Sequence, residues 1–213
     1  MPTLSMAWPP HAAMPPGLTQ PAGFPALREH GPGDPGRAAV EAYIRTVFRD
    51  RFGADVHSFA PMLVGLHDAD GTLVAAAGYR AADQGPLFLE RYLDAPVDQR
   101  LTDAFDQPVL RSRIAEVGHL AATRAGEGRR LILLMAPLLA REGFDWIVST
   151  LTQELRQLFV RLGVAPIALG MADPALLGED AGDWGSYYDH RPLVQAGQLQ
   201  VALHALQRRG GLA

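Results

Sequence analysis

The spacing of apolar residues predicts an amphipathic helix near the start of the chain. Between Val40 and Phe52 apolar side chains recur every three or four positions, and Asp34-Pro35 and Gly53 are typical of a helix start and a helix end. Residues 1–36 hold nine of the 17 prolines and show neither a helical nor a strand period. We therefore expect a flexible Pro/Gly-rich extension over 1–36 and one domain over 37–213.

Apolar runs in the rest of the chain alternate between strand and helix patterns. Residues 62–67 and 72–80 are predicted to form a hairpin, because the four residues between them have turn chemistry. Further predicted strands lie at 109–122 (the central one), 144–149 and 164–169. Further predicted helices lie at 96–105, at 129–142 with a kink at Pro137, and from a cap at Thr152 to a stop at Gly163. Residues 85–92 are predicted as a loop leading into a short helix or strand, 174–183 as a loop, and 199–206 as a strand or short helix. This alternation predicts a mixed α/β sheet with helices on both faces.

The composition excludes several kinds of chemistry. No Cys is present, which excludes disulfides, thiolate nucleophiles and Cys-ligated metals, and all 19 cationic side chains are Arg, which excludes a Schiff-base lysine. Seven scattered His give no metal-ligand spacing, so we expect no metal site. A net charge of −4 gives no overall attraction to nucleic acid. The N-terminus lacks a signal-peptide pattern and the longest apolar run, 131–140, is too short to span a bilayer, so we expect a cytoplasmic protein with no transmembrane segment.

The stretch between the central strand and the next helix has the composition of an anion-binding loop. It contains two glycines and three arginines, at Arg124, Gly126, Gly128, Arg129 and Arg130. Glycines let backbone N–H groups face a ligand at a helix start, and arginines add fixed charge and paired donors. We predict that this loop binds a phosphate group; a solvated basic connection is the alternative.

Glu116 is an acidic residue in the middle of the predicted central strand. A carboxylate there is costly unless it is paired or functional, so it is a candidate general base, with an ion pair to Arg80 or Arg113 as the alternative. His119 lies at an odd offset from Glu116 and would face the other side of a regular strand. A bulge at Gly118 would be needed to bring both to one reacting atom, and a structural histidine is the simpler interpretation.

The order of elements resembles that of the GCN5-related N-acetyltransferase (GNAT) fold, and three motifs point to a narrower family. The segments Leu87–Leu93 (LFLERYL), Ile114–Ala121 (IAEVGHLA) and Trp184–Asp189 (WGSYYD) are similar to the thermostable hemolysin family, over residues 38–208. That family resembles acyltransferases of GNAT type. A more distant similarity relates Gly78–Ala81 and Glu116–His119 to acyl-homoserine-lactone synthases. His119 departs from the Asn that is more frequent at this position in the thermostable hemolysin family, and the glycine loop is one residue tighter than the usual GNAT loop.

The resemblance implies a GNAT-like α/β (α+β) fold with a mixed, mostly antiparallel central sheet flanked by helices on both faces. It also implies an N-acyltransferase that moves an acyl group, long chains included, from acyl carrier protein or acyl-CoA to an amine such as an amino acid. The acyl-CoA or acyl-phosphopantetheine is then a co-substrate, and no permanently bound cofactor is expected. Transfer would occur by direct attack in a ternary complex, because the absence of Cys excludes a thiol-bound acyl-enzyme.

The same resemblance implies roles for individual residues. Glu116 would be the base, and Tyr188 or Tyr187 would be the general acid toward the departing thiolate. The donor-binding residues would be Leu120, Ala121, Ala122, Arg124, Gly126, Gly128, Arg129 and Arg130. The acceptor side would be lined by Arg80, Glu90, Arg91, Tyr92, His119 and Trp184.

Two other functions stay open at this point. The family's name suggests a membrane-active or lipid-binding protein, which predicts an exposed amphipathic basic helix or an apolar patch. A non-catalytic GNAT-like module that binds a carrier protein would fit the departures at His119 and in the glycine loop.

Overall fold

The fold is built on one seven-stranded sheet. A computed structural model of the protein describes residues 26–208. Its strands are β1 (Ala26–His30), β2 (Met62–His67), β3 (Leu73–Ala81), β4 (Ile114–Ala122), β5 (Trp146–Leu151), β6 (Ile167–Met171) and β7 (Leu193–Gln198). They lie in the order β1-β2-β3-β4-β5-β7-β6, and every neighbouring pair is antiparallel except β4 and β5.

Helices cover both faces of this sheet. They are α1 (Arg37–Phe52), α2 (Val97–Phe105), α3 (Glu127–Arg141), α4 (Gln153–Leu162) and α5 (Leu199–Arg208). Successive side chains of a strand point to opposite faces, so in β2 Leu63 packs with α1, whereas Val64 packs with the core formed by α3 and α5. The small side chains of β3 also alternate between the two faces: Ala76 packs beneath α1, and Ala75 packs beneath α3.

Most predicted elements are present, with shifted ends. The hairpin, the central strand and the helix that Thr152 caps and Gly163 ends are confirmed. Helix α1 begins at Arg37, later than predicted, because the Asp34 carboxylate accepts a hydrogen bond from the Gly36 N–H at 2.7 Å and shapes the preceding turn instead. Residues 199–206 belong to a helix, and Phe88–Tyr92 is a short 3-10 helix.

Two strands of the structure were not predicted. Strand β7 lies between β5 and β6, and only three of its six residues are apolar, so its sequence lacks a clear strand pattern. Strand β1 pairs with β2 at the sheet edge, within the stretch predicted as a flexible extension. The rest of that extension, residues 1–25, lies outside the described residues. In residues 26–208 no helix is both long and apolar enough to cross a membrane.

The sheet opens between β4 and β5. These strands are paired only from Ile114 to Glu116, whereas β4 continues to Ala122 and β5 to Leu151. On its other side β4 carries a bulge, since Gly118 pairs with Gly78 but the next pair on β4 is Ala121 with Ala76. His119 lies in this bulge with a left-handed backbone, at φ 54°. The carboxyl half of β4 therefore has an edge that β5 does not cover.

Candidate active site

A cavity of about 1000 Å³, here called the main cleft, lies at the opening between β4 and β5. One wall is β4 from Glu116 onward together with the glycine loop, and the opposite wall is the end of β5 and the first turns of α4. Helix α1 and the aromatic segment around Trp184 enclose the cleft on the α1 face of the sheet. The carboxyl ends of two parallel strands thus meet at a crevice, the usual position of a ligand site in such sheets.

Glu116 lies in the main cleft and is oriented by backbone groups. Its two carboxylate oxygens accept hydrogen bonds from the N–H groups of Phe88 (3.0 Å) and Leu89 (2.8 Å), at the start of the 3-10 helix. Burial raises the pKa of this carboxyl above its ordinary value, although the two amides and the positive charge of Arg80 oppose the shift. A buried carboxylate with a raised pKa is suited to accepting a proton near neutral pH.

The two predicted ion-pair partners of Glu116 are engaged elsewhere. Arg80 lies opposite Glu116 in the β3–β4 register, but its guanidinium donates to the carbonyl of Pro86 at 3.1 Å. Arg113 is bound to Asp145 at 2.7 Å. Neither of these two arginines has its guanidinium paired with the Glu116 carboxylate. The structure therefore does not show the alternative, a structural ion pair of Glu116 with Arg80 or Arg113.

The two candidate tyrosines have different surroundings. The hydroxyl groups of Tyr188 and Tyr92 are hydrogen-bonded to each other at 2.5 Å, at the lining of the main cleft. Burial raises the pKa of both, so both hydroxyls keep their protons at neutral pH. The Tyr187 hydroxyl instead donates to the carbonyl of Thr150 at 3.1 Å, and its ring packs against Phe48. Among the three tyrosines of the cleft lining, Tyr188 and Tyr92 are the two whose hydroxyl groups are not bound to the backbone.

His119 also lines the main cleft, because the bulge in β4 turns it toward Glu116's side of the sheet. The bulge that is needed to bring His119 and Glu116 to the same side of the strand is therefore present. Burial lowers the pKa of His119 to about 4, although a hydrogen bond with the backbone of Ser58 acts in the opposite direction. The ring is therefore neutral at neutral pH. Its ring lies against Phe59, with 5.4 Å between ring centres, and its Nδ1 has no hydrogen-bond partner among the described residues.

The glycine loop begins α3 without a side-chain cap. Gly126 has a left-handed backbone at φ 89° and is the N-cap residue, so the first N–H groups of α3 have no side-chain acceptor. Arg124 is 63% exposed and only weakly paired with Asp68 at 3.4 Å, and Arg129 is exposed beside it. Arg130 turns toward Glu127 at 3.8 Å and is not part of the cleft lining. The remaining predicted donor-binding residues line the cleft: Leu120, Ala121, Ala122 and Gly128.

The charge in the main cleft is opposite in sign to that of the whole chain. The chain carries −4. The acidic residues of the cleft lining are Glu116 and Glu154, and its arginines are Arg51, Arg80, Arg91, Arg124, Arg129 and Arg161. Such a cleft attracts an anionic ligand and raises its local concentration.

One predicted acceptor residue has a structural role instead. The carboxylate of Glu90 binds Arg111 at 2.7 Å and accepts the N–H groups of Leu87 and Val97, both at 2.8 Å. Burial raises the pKa of Glu90, but these hydrogen bonds outweigh it and hold the pKa below its ordinary value. Glu90 is absent from the cleft lining, whereas Arg91, Tyr92 and Trp184 belong to it.

Some cleft residues were missed by the sequence interpretation. The end of β5 and the start of α4 contribute Thr150, Thr152 and Glu154. A hydrogen bond from His190 lowers the pKa of Glu154 to about 2. The sequence shows these polar residues directly after the predicted buried strand at 144–149. Their position in the site, however, follows only from the pairing of β5 with β4, which the sequence pattern does not reveal.

A smaller cavity of about 90 Å³, here called the apolar chamber, adjoins the main cleft on the α3 face. The two cavities share Val117, Leu120 and Ile132 in their linings. The chamber continues between β5, β7 and the helices α3, α4 and α5, where Met135, Leu139, Phe159 and Leu206 line it. The opening between β4 and β5 therefore connects a polar space on one face with an apolar space on the other.

No metal site accompanies these cavities in the part of the chain that the structure describes. Within residues 26–208 no group of three or more His, Asp or Glu side chains is arranged to hold a metal ion.

Comparison with known proteins gives one matching family and several solved structures that share the fold. A model of the thermostable hemolysin family matches residues 30–203. A search of the curated proteins found no match. Among solved structures, TofI in an apo form is similar with a TM-score of 0.59 at 19% identity, covering 85% of this chain and 96% of that one.

Two further solved structures are similar to a comparable degree. The acyl-homoserine-lactone synthase LasI has a TM-score of 0.57 at 13% identity, covering 85% of this chain and 95% of that one. FeeM, an N-acyl amino acid synthase from uncultured soil microbes, has a TM-score of 0.57 at 15% identity, covering 86% of this chain and 99% of that one. At such identities the likeness shows the fold, and it confirms the predicted GNAT-like architecture.

Proposed function

The chain belongs to the thermostable hemolysin family, and we propose that it is a GNAT-type N-acyltransferase. It takes an acyl group from the phosphopantetheine thioester of acyl-CoA or acyl carrier protein and transfers it to an amine such as an amino acid. The observation that carries this proposal is the opening between β4 and β5, where Glu116 lies beside an arginine-rich cleft. A cytoplasmic site of action, where such thioesters are made, is part of the proposal.

The donor binds along the uncovered edge of β4 with its phosphate at the glycine loop. The uncapped start of α3 supplies backbone N–H groups and the positive end of the helix dipole. Arg124 and Arg129, both exposed, add charge without an existing strong partner that binding would have to break. The acyl chain passes through the opening into the apolar chamber, which removes apolar carbon atoms from water.

Glu116 accepts the proton of the attacking amine. The amine nitrogen forms the new bond to the thioester carbonyl carbon, and Glu116 takes the proton from nitrogen, directly or through a water. The two amides that bind the carboxylate fix its orientation before the substrate binds, so most of the rate acceleration comes from positioning. Backbone groups in the bulged part of β4 stabilise the negative charge that develops on the carbonyl oxygen.

Tyr188 donates the proton that the leaving group takes. When the carbon–sulfur bond breaks, the sulfur leaves as a thiolate and accepts the hydroxyl proton of Tyr188, which Tyr92 supports through its own hydroxyl. Tyr187 has no part in this step, because its hydroxyl is bound to the carbonyl of Thr150.

The proteins similar in fold support this proposal. LasI is an acyl-homoserine-lactone synthase and FeeM is an N-acyl amino acid synthase. These proteins are synthases of acylated products, so we extend acyl transfer to this chain, with the donor carrier and the acceptor to be identified by experiment.

The direct test is thiol release from purified full-length protein. A panel of acyl-CoA and acyl carrier protein thioesters is incubated with a mixture of amino acids, and free thiol and acylated products are followed by absorbance and mass spectrometry. We expect release of thiol that depends on both donor and amine. Thermal stabilisation by a thioester without any thiol release would overturn catalysis in favour of a carrier-binding module, and stabilisation by liposomes alone would favour the lipid-binding alternative.

A further inference from the structure

One side chain in the apolar chamber does not match its surroundings. Gln195 lies on β7, is 9% exposed and lines the chamber among aliphatic and aromatic residues. Its side-chain oxygen Oε1 is buried and has no hydrogen-bond partner among the described residues. A buried polar atom without a partner is costly, so its presence calls for a physical reason.

Ser149 accompanies Gln195 at the same place. The two residues are direct partners in the β5–β7 register, both are buried, and both line the chamber. Two polar side chains therefore lie next to each other on one side of an otherwise apolar space. A ligand that ends in this space with a polar group would find an acceptor and a hydroxyl ready to bind it.

The registers of the sheet place these residues in line with the entrance from the main cleft. Glu116 pairs with Val148, so Val117 and Ser149 are at the same level, and Ser149 pairs with Gln195. Val117, Ser149 and Gln195 form a row across three neighbouring strands, on the α3 face. A chain that enters over Val117 reaches Gln195 by crossing this row.

We infer that the acyl group which this protein transfers carries a hydroxyl far from its thioester carbonyl, bound by Gln195 and Ser149. The inference rests on the proposed acyl transfer and names the acyl class that the chamber selects. A hydroxyl donates to the Oε1 atom of Gln195 and can bind the Ser149 hydroxyl as well, so the buried acceptor is satisfied only when the substituted chain is bound.

The distance along the row sets the position of the hydroxyl. Paired strands are about 4.8 Å apart, and β4 and β5 separate beyond Glu116, so β7 lies roughly 10 Å or more from β4 at this level. An extended chain advances about 1.3 Å per bond, since three backbone bonds span about 3.8 Å. The hydroxyl is therefore expected about seven to eight bonds from the thioester carbonyl, at carbon 8 or 9, rather than next to it.

The test compares coenzyme A thioesters of equal chain length. Decanoyl-, 3-hydroxydecanoyl- and 8-hydroxydecanoyl-CoA are titrated into the full-length protein by calorimetry, which reads binding without any need for turnover. We expect the 8-hydroxy chain to bind about tenfold more tightly than the plain chain, because one hydrogen bond to an otherwise unpaired buried atom is gained. Gln195→Met, which keeps the length of the side chain, should remove this preference and leave binding of the plain chain intact.

Gln198→Met is the matched control. Gln198 is an exposed residue at the end of the same strand, so its variant should keep the full preference. Equal affinity of wild type for the plain and 8-hydroxy chains would overturn the inference, since solvent would then satisfy Gln195. A preference that survives in Gln195→Met, or one for the 3-hydroxy chain, would also overturn it. Tight, selective binding without thiol release would contradict the proposed function and leave the chain selectivity standing.

Discussion

The main cleft and the apolar chamber differ in chemistry although they share one strand. In β4, Glu116 faces the arginines and tyrosines of the cleft, and the next residue, Val117, also lines the apolar chamber. In β5, Thr150 faces the cleft and Ser149 faces the chamber. Under the proposed function, the two-residue period of a strand therefore separates bond-breaking on one face from chain recognition on the other. Substitutions on one face should therefore change turnover, and substitutions on the other should change chain preference.

The largest effect is expected for Glu116→Gln, on the cleft side. Loss of the general base should lower turnover about 100-fold or more, whereas donor affinity should stay near that of wild type. Single-turnover and titration measurements separate the two quantities. If turnover is unchanged, Glu116 has no role in proton transfer.

The same variant gives a prediction about pH. Because burial raises the pKa of Glu116 in the folded state, its contribution to stability is fully present below the unfolded-state pKa and is lost as the pH rises through the folded-state pKa. The stability of wild type relative to Glu116→Gln should therefore fall as the pH rises across that interval. Thermal unfolding of both proteins from acidic to neutral pH measures this difference, and a difference independent of pH would contradict the burial of an ionisable carboxyl.

The next effect tests the phosphate end of the cleft. Arg124→Ala combined with Arg129→Ala should weaken donor binding by roughly 30-fold, because charged donors to a phosphate are worth more than neutral ones. The loss should shrink at high salt, since both residues are exposed. The matched control is the double variant Arg49→Ala and Arg141→Ala, whose exposed arginines lie outside the cleft lining. Equal affinities of the two double variants would show that the glycine loop does not bind the donor.

A smaller effect is expected on the chamber side. Ala136 is a buried residue of α3 that lines the apolar chamber, and Ala136→Leu adds three carbon atoms to that space. Turnover of long-chain donors should fall about tenfold relative to short-chain donors, because a few methylene groups lose their place in an apolar pocket. Turnover of acetyl- and butyryl-CoA serves as the internal control. An equal loss for short and long chains would mean that the variant disturbs the fold and that the chamber does not hold the chain.

The contrast between the two spaces also separates what the sequence could and could not predict. The sequence could single out Arg124, Gly126 and Glu116 as cleft residues because their local context is unusual. Glycines and arginines are concentrated directly before a helix, and a carboxylate lies within an apolar strand. The apolar chamber was not, because Val117, Ile132 and Leu139 are ordinary core residues until β5 separates from β4. Gln195 was missed for a related reason, since β7 itself was not predicted. These residues become neighbours through the pairing of strands that are far apart in the sequence, and the local sequence pattern does not predict that pairing.

The smallest expected effect distinguishes the two adjacent tyrosines. The leaving group is a thiolate, whose conjugate acid has a pKa of about 8.5, so help from a general acid is modest and Tyr188→Phe should lower turnover only about fivefold. Tyr187→Phe should leave turnover near wild type and lower stability by about 1 kcal/mol, because the variant removes the hydrogen bond to the Thr150 carbonyl. Steady-state kinetics and chemical unfolding of both variants test this difference. If Tyr187→Phe had the larger effect on turnover, the acid would lie on the Thr150 side of the cleft, and the pairing of Tyr188 with Tyr92 would be structural.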